Sequence, residues 1–449
     1  MGLNIKIKKG VDIKLKGRLE SDDIEQLSSD TYAFLPEDFH GVIPKMEVKA
    51  GEEVLAGSPL YHDKFHEEVK YCSPVSGEVV EVVRGEKRRI MAVKILADKE
   101  IRFQDFGAAD PNSLDGEAVK SKLLKSGAWP FVKERPYDFV ANPSHKPKAV
   151  FISAFDTNPL APDLSLMIFK EKEAFKAGVA ALSKLTEGKV HLSIQAGSNE
   201  SLFSDLQGVE MHRVSGPHPA GNVGPQIHKI DPINKGELVW TVSVLGVLVI
   251  GRLFLTGKFN TKRLLATTGS AMNKRSYIEC FAGLELKKAT EGRLSEGDNR
   301  LISGNVLTGR KTTTESYVGF YDYQLTAIPE VEDREFFGWI APGFGKFSMS
   351  RTFPAWMSPN KEYNLNTSLN GEERAFVMSG QYEKVFPMDI YPVQLLKAIL
   401  VEDIELMENL GIYEVAPEDF ALCEVVCTSK INSQSIVRGG LDMMIQEMS

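Results

Sequence analysis

The chain has 449 residues, 43% of them hydrophobic, enough for two to four domains with cores of their own. A net charge of −8 and a pI near 5.7 exclude nucleic acid as a main partner, because phosphate binding needs a basic face. The longest uncharged apolar run, Leu238–Ile250, has 13 residues against the ~18 or more of a spanning helix, so no direct membrane span is expected and the protein reads as soluble in itself.

In chain order, residues 4–19 alternate apolar and basic side chains (Ile5, Ile7, Val11, Ile13, Leu15). That period of two predicts an exposed strand pair turning near Lys9-Gly10, and its lack of an apolar core excludes a signal peptide. Met46 to Leu60 reads as strand, turn and strand with Gly51 and Gly57 at the bends; Ser73 to Gly85 is a second such unit. Together they resemble the two halves of a biotinyl/lipoyl-type barrel-sandwich domain. Lys64 follows Asp63 where carrier members of that fold hold their cofactor; it is read as an ordinary surface lysine without a lipoyl or biotinyl group. His62, His66 and Cys72 lie close in sequence but have no fourth ligand at a recognised spacing, so no metal is assigned.

Glu117 to Ser126 predicts a short helix ended by Gly127. Trp129 to Asp138 then mixes aromatic and cationic residues, stiffened by Pro130 and Pro136. The pattern suits an apolar ring bearing carbonyls, and it also suits a packed loop, the reading the residues alone favour. Ala149–Phe155 is a buried-strand run that opens an alternation: 163–185 helical, 190–194 strand, 201–207 helical, 209–214 strand. This predicts a doubly wound α/β layer. A dinucleotide site would show Gly-x-Gly-x-x-Gly after the first strand. Asp156 to Pro162 stands there instead, and its prolines cannot offer consecutive N–H donors to a pyrophosphate. Neither NADH nor flavin binding is expected.

Ser215 to Pro232 packs glycine and proline at a density that argues against both a helix and a ladder strand, and it sits as a loop between two apolar runs. Residues 239–250 predict a strand passing into a helix that ends near Gly257. Short strands between glycine turns fill Arg263 to Ser316. Trp339 to Phe353 is aromatic and glycine-rich, a segment suited to facing a partner. From Pro392, Val393, Leu396, Ile399, Leu400, Ile404 and Met407 recur at helical steps, and Pro417 separates them from one or two final helices. Four scattered cysteines (72, 280, 423, 427) suggest a reducing compartment. Cys423 and Cys427 would share one helix face; two thiols fall short of the four that a four-iron cluster needs, so they read as core residues.

Ser215-Gly216-Pro217-His218-Pro219-Ala220-Gly221, followed by Gly224, resembles the SG-x-HPAG-x-x-G loop of the A-subunit family of the sodium-translocating NADH:quinone oxidoreductases (Na+-NQR). Asp156-Thr157-Asn158-Pro159-Leu160-Ala161 and Leu294 to Gly309 resemble that family too. So does Trp129 to Pro136, read as W-x-x-x-R-x-RP with Glu134 inside, Arg135 as the one arginine and Lys133 in place of the other. The resemblance spans essentially the whole chain. It implies an α/β multidomain fold: a barrel-sandwich hybrid (biotinyl/lipoyl-like) domain over 1–104, a Rossmann-like α/β domain lacking the glycine fingerprint over 105–257, a β-grasp-like (SLBB-type) domain over 258–335, and a C-terminal segment ending in helices over 336–449. These parts look like those of the NADH-binding subunit of respiratory complex I with its flavin, NADH and cluster sites lost.

The same resemblance implies a peripheral subunit on the cytoplasmic face of the bacterial inner membrane, docked on membrane subunits. The complex, a translocase, would pass electrons from NADH to a quinone such as ubiquinone and export sodium. Flavins and Fe-S would sit in other subunits. This chain would be inactive alone, with no catalytic residue, no bound cofactor and quinone as substrate. The candidate quinone-binding residues are Phe39, His40, Phe131 and Arg135, lining a cleft between the barrel-sandwich and α/β domains. A non-catalytic scaffold that docks on the membrane subunits is the alternative.

Overall fold

Residues 4–26 do not fold on themselves; they supply strands to two sheets built from residues hundreds of positions away. In the computed structural model, which describes residues 2–198, 200–331, 338, 340–358 and 360–448, Asn4–Lys6 pairs in parallel with Arg213–Ser215. Ile24–Gln26 pairs in parallel with Tyr277–Glu279. The strand pair expected over 4–19 is therefore absent. Period-two patterning fixes which side chains turn inward, here Ile5 and Ile7 against Phe155, Val214 and Ala220, but it does not name the partner strand.

The barrel-sandwich lies between Thr31 and Ala97. One sheet holds Thr31–Phe34, Ile90–Ala97, Gly77–Arg84 and Glu53–Val54; the other holds Pro44–Met46, Pro59–Asp63 and Lys70–Cys72. A core of Val54, Leu60, Tyr61, Tyr71, Val79, Val93 and Ile95 fills the space between them. Lys64 is exposed just beyond the end of Pro59–Asp63.

A seven-stranded sheet forms the middle of the molecule. Its order is Asn4–Lys6, Val209–Ser215, Lys189–Gln195, Ala149–Ser153, Val239–Thr241, Lys133–Arg135, Phe139–Val140, parallel throughout except for the last two strands. The predicted helix forms over Gly116–Ser126, capped by the Asp115 carboxylate and stopped by Gly127 in the left-handed region (φ 80°). The long helix expected over 163–185 is two, Leu164–Lys170 and Lys172–Ser183. The break falls at Glu171, whose carboxylate is taken by Arg252. Residues 200–203 form one 3-10 turn.

The apolar run passes through strand Val239–Thr241 into helix Val244–Thr256, whose first turn is capped by Ser243 Oγ. That helix crosses Lys172–Ser183 so closely that a Cβ at Gly251 would lie 1.7 Å from Ala174 O, and one at Gly178 2.1 Å from Val247 O. Backbone touches backbone there, which only glycine permits. Among the described residues no helix is long and apolar enough to cross a membrane.

The loop over 215–232 contains a helix, Val223–Ile230, contrary to the reading of its composition. Pro225 is the third residue of the first turn, where the N–H has no intrahelical acceptor to lose, so the proline is tolerated.

A six-stranded sheet, Arg310–Thr312, Asn299–Ser303, Gln324–Pro329, Arg263–Thr268, Tyr277–Cys280 and Ile24–Gln26, mixes parallel and antiparallel pairs. Beyond it, helices Pro392–Leu400, Ile404–Asn409, Ala421–Val426 and Ser433–Met448 enclose a separate core that also takes in Ile13 and Leu15. Cys423 and Cys427 are buried in that core, but their helix ends at Val426, so Cys427 sits in extended backbone and the two share no helix face. Trp339 falls outside the described residues; Ile340 and Phe344 of the same segment are exposed.

Candidate functional site

In the central sheet the strand order reverses between Ala149–Ser153 and Val239–Thr241, and a crevice opens beyond the carboxyl ends of these strands. A cavity of about 450 Å³ occupies it, walled by Phe131, Lys133 and Arg135, by Ser153, Asp156 and Asn158, by Gly221–Val223 of the glycine-proline loop, and by Tyr321–Gln324 and Glu418. The loop is drawn in tightly. Ser153 Oγ donates to Gly221 O (2.8 Å), Gly221 N–H donates to Thr157 Oγ1 (2.9 Å), and a Cβ at Gly221 would lie 2.6 Å from Thr157 N.

Phe131 and Arg135 both line this cavity, and neither is free in it. Phe131 is buried and stacks on Phe320 at 4.4 Å. Arg135, its side chain 2% exposed, donates from Nη2 to Glu418 (2.5 Å) and from Nη1 to Asp419 (3.1 Å). Asp419 also accepts from Ala416 N–H, and its other oxygen presses against Gly224. Burial pushes the Asp419 and Glu418 carboxyls up against the pull of Arg135, so the guanidinium clamps two acids that resist ionising together.

Phe39 and His40 line a second cavity of about 140 Å³, with Asp38, Lys133, Asp138, Tyr321 and Arg438 among its walls. Phe39 is core, packed on Phe34, Tyr71 and Phe320. His40 stands at the surface and bonds Asp442 at 2.7 Å. Lys133, Asp138 and Tyr321 belong to both cavities, so the early loop and the 129–138 segment do meet. They meet through Phe320, whose ring lies 4.9 Å from Phe39 and 4.4 Å from Phe131. No residue of the barrel-sandwich sheets lines the larger cavity. Its walls come from the α/β layer, the six-stranded sheet's connections and the C-terminal helices, not from the junction expected.

Sequence reasoning missed Lys133 as a wall shared by both cavities, and it missed Asp138, Tyr321, Tyr323 and Glu418. Lys133 Nζ stands 4.7 Å over the Tyr321 ring and 3.8 Å from Asp138. Tyr321 Oη donates to Pro130 O, and Tyr323 Oη to Asp156. The run Phe320-Tyr321-Asp322-Tyr323, four large or charged residues ahead of a buried strand, was the available signal. Two cations (Lys133, Arg135) face four carboxyl groups (Asp138, Asp156, Asp322, Glu418) in the larger cavity. Burial lifts Asp322 above the ordinary carboxylate range, whereas Lys133 and Arg135 outweigh burial at Asp138 and hold it below.

Elsewhere, His191, Glu210 and His212 bring ligand-type atoms within 4.8 Å of one another. Leu3 N–H donates to His212 Nδ1 (3.1 Å), which places the imidazole proton on Nε2, aimed at His191 Nδ1 (2.9 Å). The lone pairs a metal would need are already committed along this chain of hydrogen bonds. His62 pairs with Glu47 at 2.5 Å, and His62, His66 and Cys72 do not form such a group among the described residues.

Residues 5–98 match the NqrA N-terminal barrel-sandwich hybrid domain, 114–259 the NqrA second alpha/beta domain and 264–314 the NQRA C-terminal domain. The A subunit of the Na(+)-translocating NADH-quinone reductase from Neisseria meningitidis serogroup B is 38% identical over 99% of this chain and 100% of its own length. One of the same name from Yersinia pestis bv. Antiqua is 37% identical over the same shares. Among solved structures, an NAD+-reducing [NiFe]-hydrogenase in the H2-reduced state aligns with 76% of this chain and 63% of that chain, at a TM-score of 0.40 and 11% identity.

Proposed function

The chain belongs to the A-subunit family of Na(+)-translocating NADH-quinone reductase, a complex whose reaction is NADH:quinone oxidoreduction, and from that starting point we propose that its two cavities, which share Lys133, Asp138 and Tyr321 as walls, form part of the quinone-reducing site. The observation that carries this is the crevice at the strand-order reversal, where aromatic walls and a cation meet a surplus of carboxyl groups. A nucleotide would meet repulsion there. A neutral quinone ring instead finds Phe131 beside it and Lys133 as a donor whose bond strengthens as the carbonyl oxygen gains charge on reduction. Arg135, engaged with Asp419 through Nη1 and with Glu418 through Nη2, shapes the wall and positions the acids. Phe39 and His40 belong to the vestibule.

In this reading the chain carries no flavin, cluster or metal, receives its electrons from other subunits, and sits on the cytoplasmic face of the inner membrane through them. Prolines in place of a phosphate-binding glycine turn support the first point. A scaffold without ligand is favoured by a different observation: Ile340, Phe344, Trp356, Met357, Leu369 and Met378, all in the C-terminal segment, are exposed. Calorimetry with a short-tailed quinone separates the two readings. The wild type binds, and Phe131→Ala and Lys133→Met each bind about tenfold more weakly while remaining folded. A folded wild type that takes up no quinone leaves the scaffold.

A further inference from the structure

We infer that the smaller cavity is a proton entrance, leading from the surface at His40 to the quinone oxygen in the larger cavity; this rests on the quinone reading above. Converting a quinone to its hydroquinone consumes two electrons and two protons and forms two O–H bonds. The electrons originate in NADH, which the complex oxidises. The protons come from water, and a ring seated against Phe131 and Tyr321 receives them on the side where Lys133 and Asp138 stand.

The smaller cavity supplies the connection. Its 140 Å³ is walled by six ionisable groups, Asp38, His40, Lys133, Asp138, Tyr321 and Arg438. A space so lined holds water, because these groups together offer the two or more polar contacts a buried water requires. At the outer end His40, its side chain 45% exposed, is bonded to Asp442, itself 36% exposed, so the mouth opens to solvent. At the inner end Lys133 and Asp138, 3.8 Å apart, belong to both cavities. A proton taken up at His40 crosses this water to Asp138 and Lys133. There one Lys133 N–H bond breaks as a quinone O–H bond forms, and the amine is refilled along the same path. A second passage completes the hydroquinone.

The backbone bears out the importance of aiming Asp138. Both Tyr137 and Asp138 sit in the left-handed region, at φ 85° and 53°, a conformation that side-chain-bearing residues adopt at a cost. This turn points the Asp138 carboxylate among Lys133, Arg135 and Arg438, with His40 beyond and Glu418 and Asp419 on the C-terminal side. Lys133, Arg135, Arg438 and His40 hold it below its ordinary range against burial, so it remains a proton acceptor between the two spaces. Asp38, lifted to about 6 by burial against Arg310, lies on the same wall.

The alternative is that His40, Asp442 and Arg438 merely fasten helix Ser433–Met448 to the early loop. The two roles differ in what imidazole and pH do. In the assembled complex, His40→Gln is expected to slow quinone reduction about tenfold at pH 8 to 9 and less at pH 6, where free protons are abundant. Added imidazole restores much of the rate, the KM for quinone stays within about twofold, and NADH oxidation by an artificial acceptor is retained. Asp138→Asn gives the same pH signature without imidazole rescue, and Asp138→Glu regains part of the rate. His40 lies at the surface, so its variant folds even if Asp138→Asn does not. A His40→Gln profile that matches wild type at every pH, or a loss that imidazole leaves untouched, overturns the entrance. Absence of quinone binding by the wild-type chain overturns the site reading itself, so the two failures are distinguishable.

Discussion

Two buried polar clusters sit on the same central sheet and solve the same problem in opposite ways. On the antiparallel strand Lys133–Arg135, Arg135 holds Glu418 and Asp419 in a charged clamp that still leaves Arg135 Nε and Asp419 Oδ1 buried without a partner. In the neighbouring strands Lys189–Gln195 and Val209–Ser215, His191 and His212 stay neutral and pass one hydrogen bond to the next, ending on Leu3 N–H. The first cluster borders a void and the second borders packed rings, with His191 stacked on Phe151 at 4.7 Å. Charge kept beside open space is poised to meet something; neutrality locked between rings serves the fold alone.

The sharpest way to break this contrast is Arg135→Ala. Removing one partner of a buried ion cluster strands the others, and a loss of roughly 3–5 kcal/mol is expected, read as a lower urea midpoint. A loss below about 1 kcal/mol would show the clamp to be solvated after all. Next comes acid. Burial, with His212 beside it, depresses His191 to about 4, and burial depresses His218 to about 4. Above pH 6.5 both rings are neutral folded or unfolded, and they contribute nothing. Between pH 6.5 and 4 the unfolded chain takes protons that the folded one refuses, so stability falls as pH drops, by on the order of 3 kcal/mol per buried ring. Thermal melts across this window follow the loss. His191→Phe should flatten the curve, and an unchanged slope in that variant assigns the acid sensitivity elsewhere. The smallest effect is expected far from both clusters: Lys64→Ala should shift stability by less than about 0.5 kcal/mol. Intact-mass spectrometry of the wild type should show no added lipoyl or biotinyl mass.

Local signals are legible where one residue decides one event. Gly127 ends its helix as the sequence reads, and the run from Val239 passes from strand into a helix stopped by Gly257 as expected. What stays hidden depends on partners far along the chain. The edge pairing of residues 4–6 needs residues 213–215, and the wall of the cavity needs residues 321–324 and 418 beside 131–138. No periodicity encodes those meetings. The helix over Val223–Ile230 escapes for a different reason: the density of prolines says nothing of a place in the first turn, which is what makes Pro225 harmless. Family resemblance draws attention to the 129–138 segment, yet it does not foretell that Arg135 is bound on both sides by acids.

The pairing of residues 4–6 and 24–26 also fixes an order of events during synthesis. The strands they join, Val209–Ser215 and Tyr277–Cys280, are made some two hundred or more residues later. At the pace of a ribosome that delay is on the order of tens of seconds. Through it the first-made segment has no ladder to enter, and the barrel over Thr31–Ala97 can close while its own upstream strands wait. The two early strands thus wait on partners made long after them, each tying the beginning of the chain to a distant part of it.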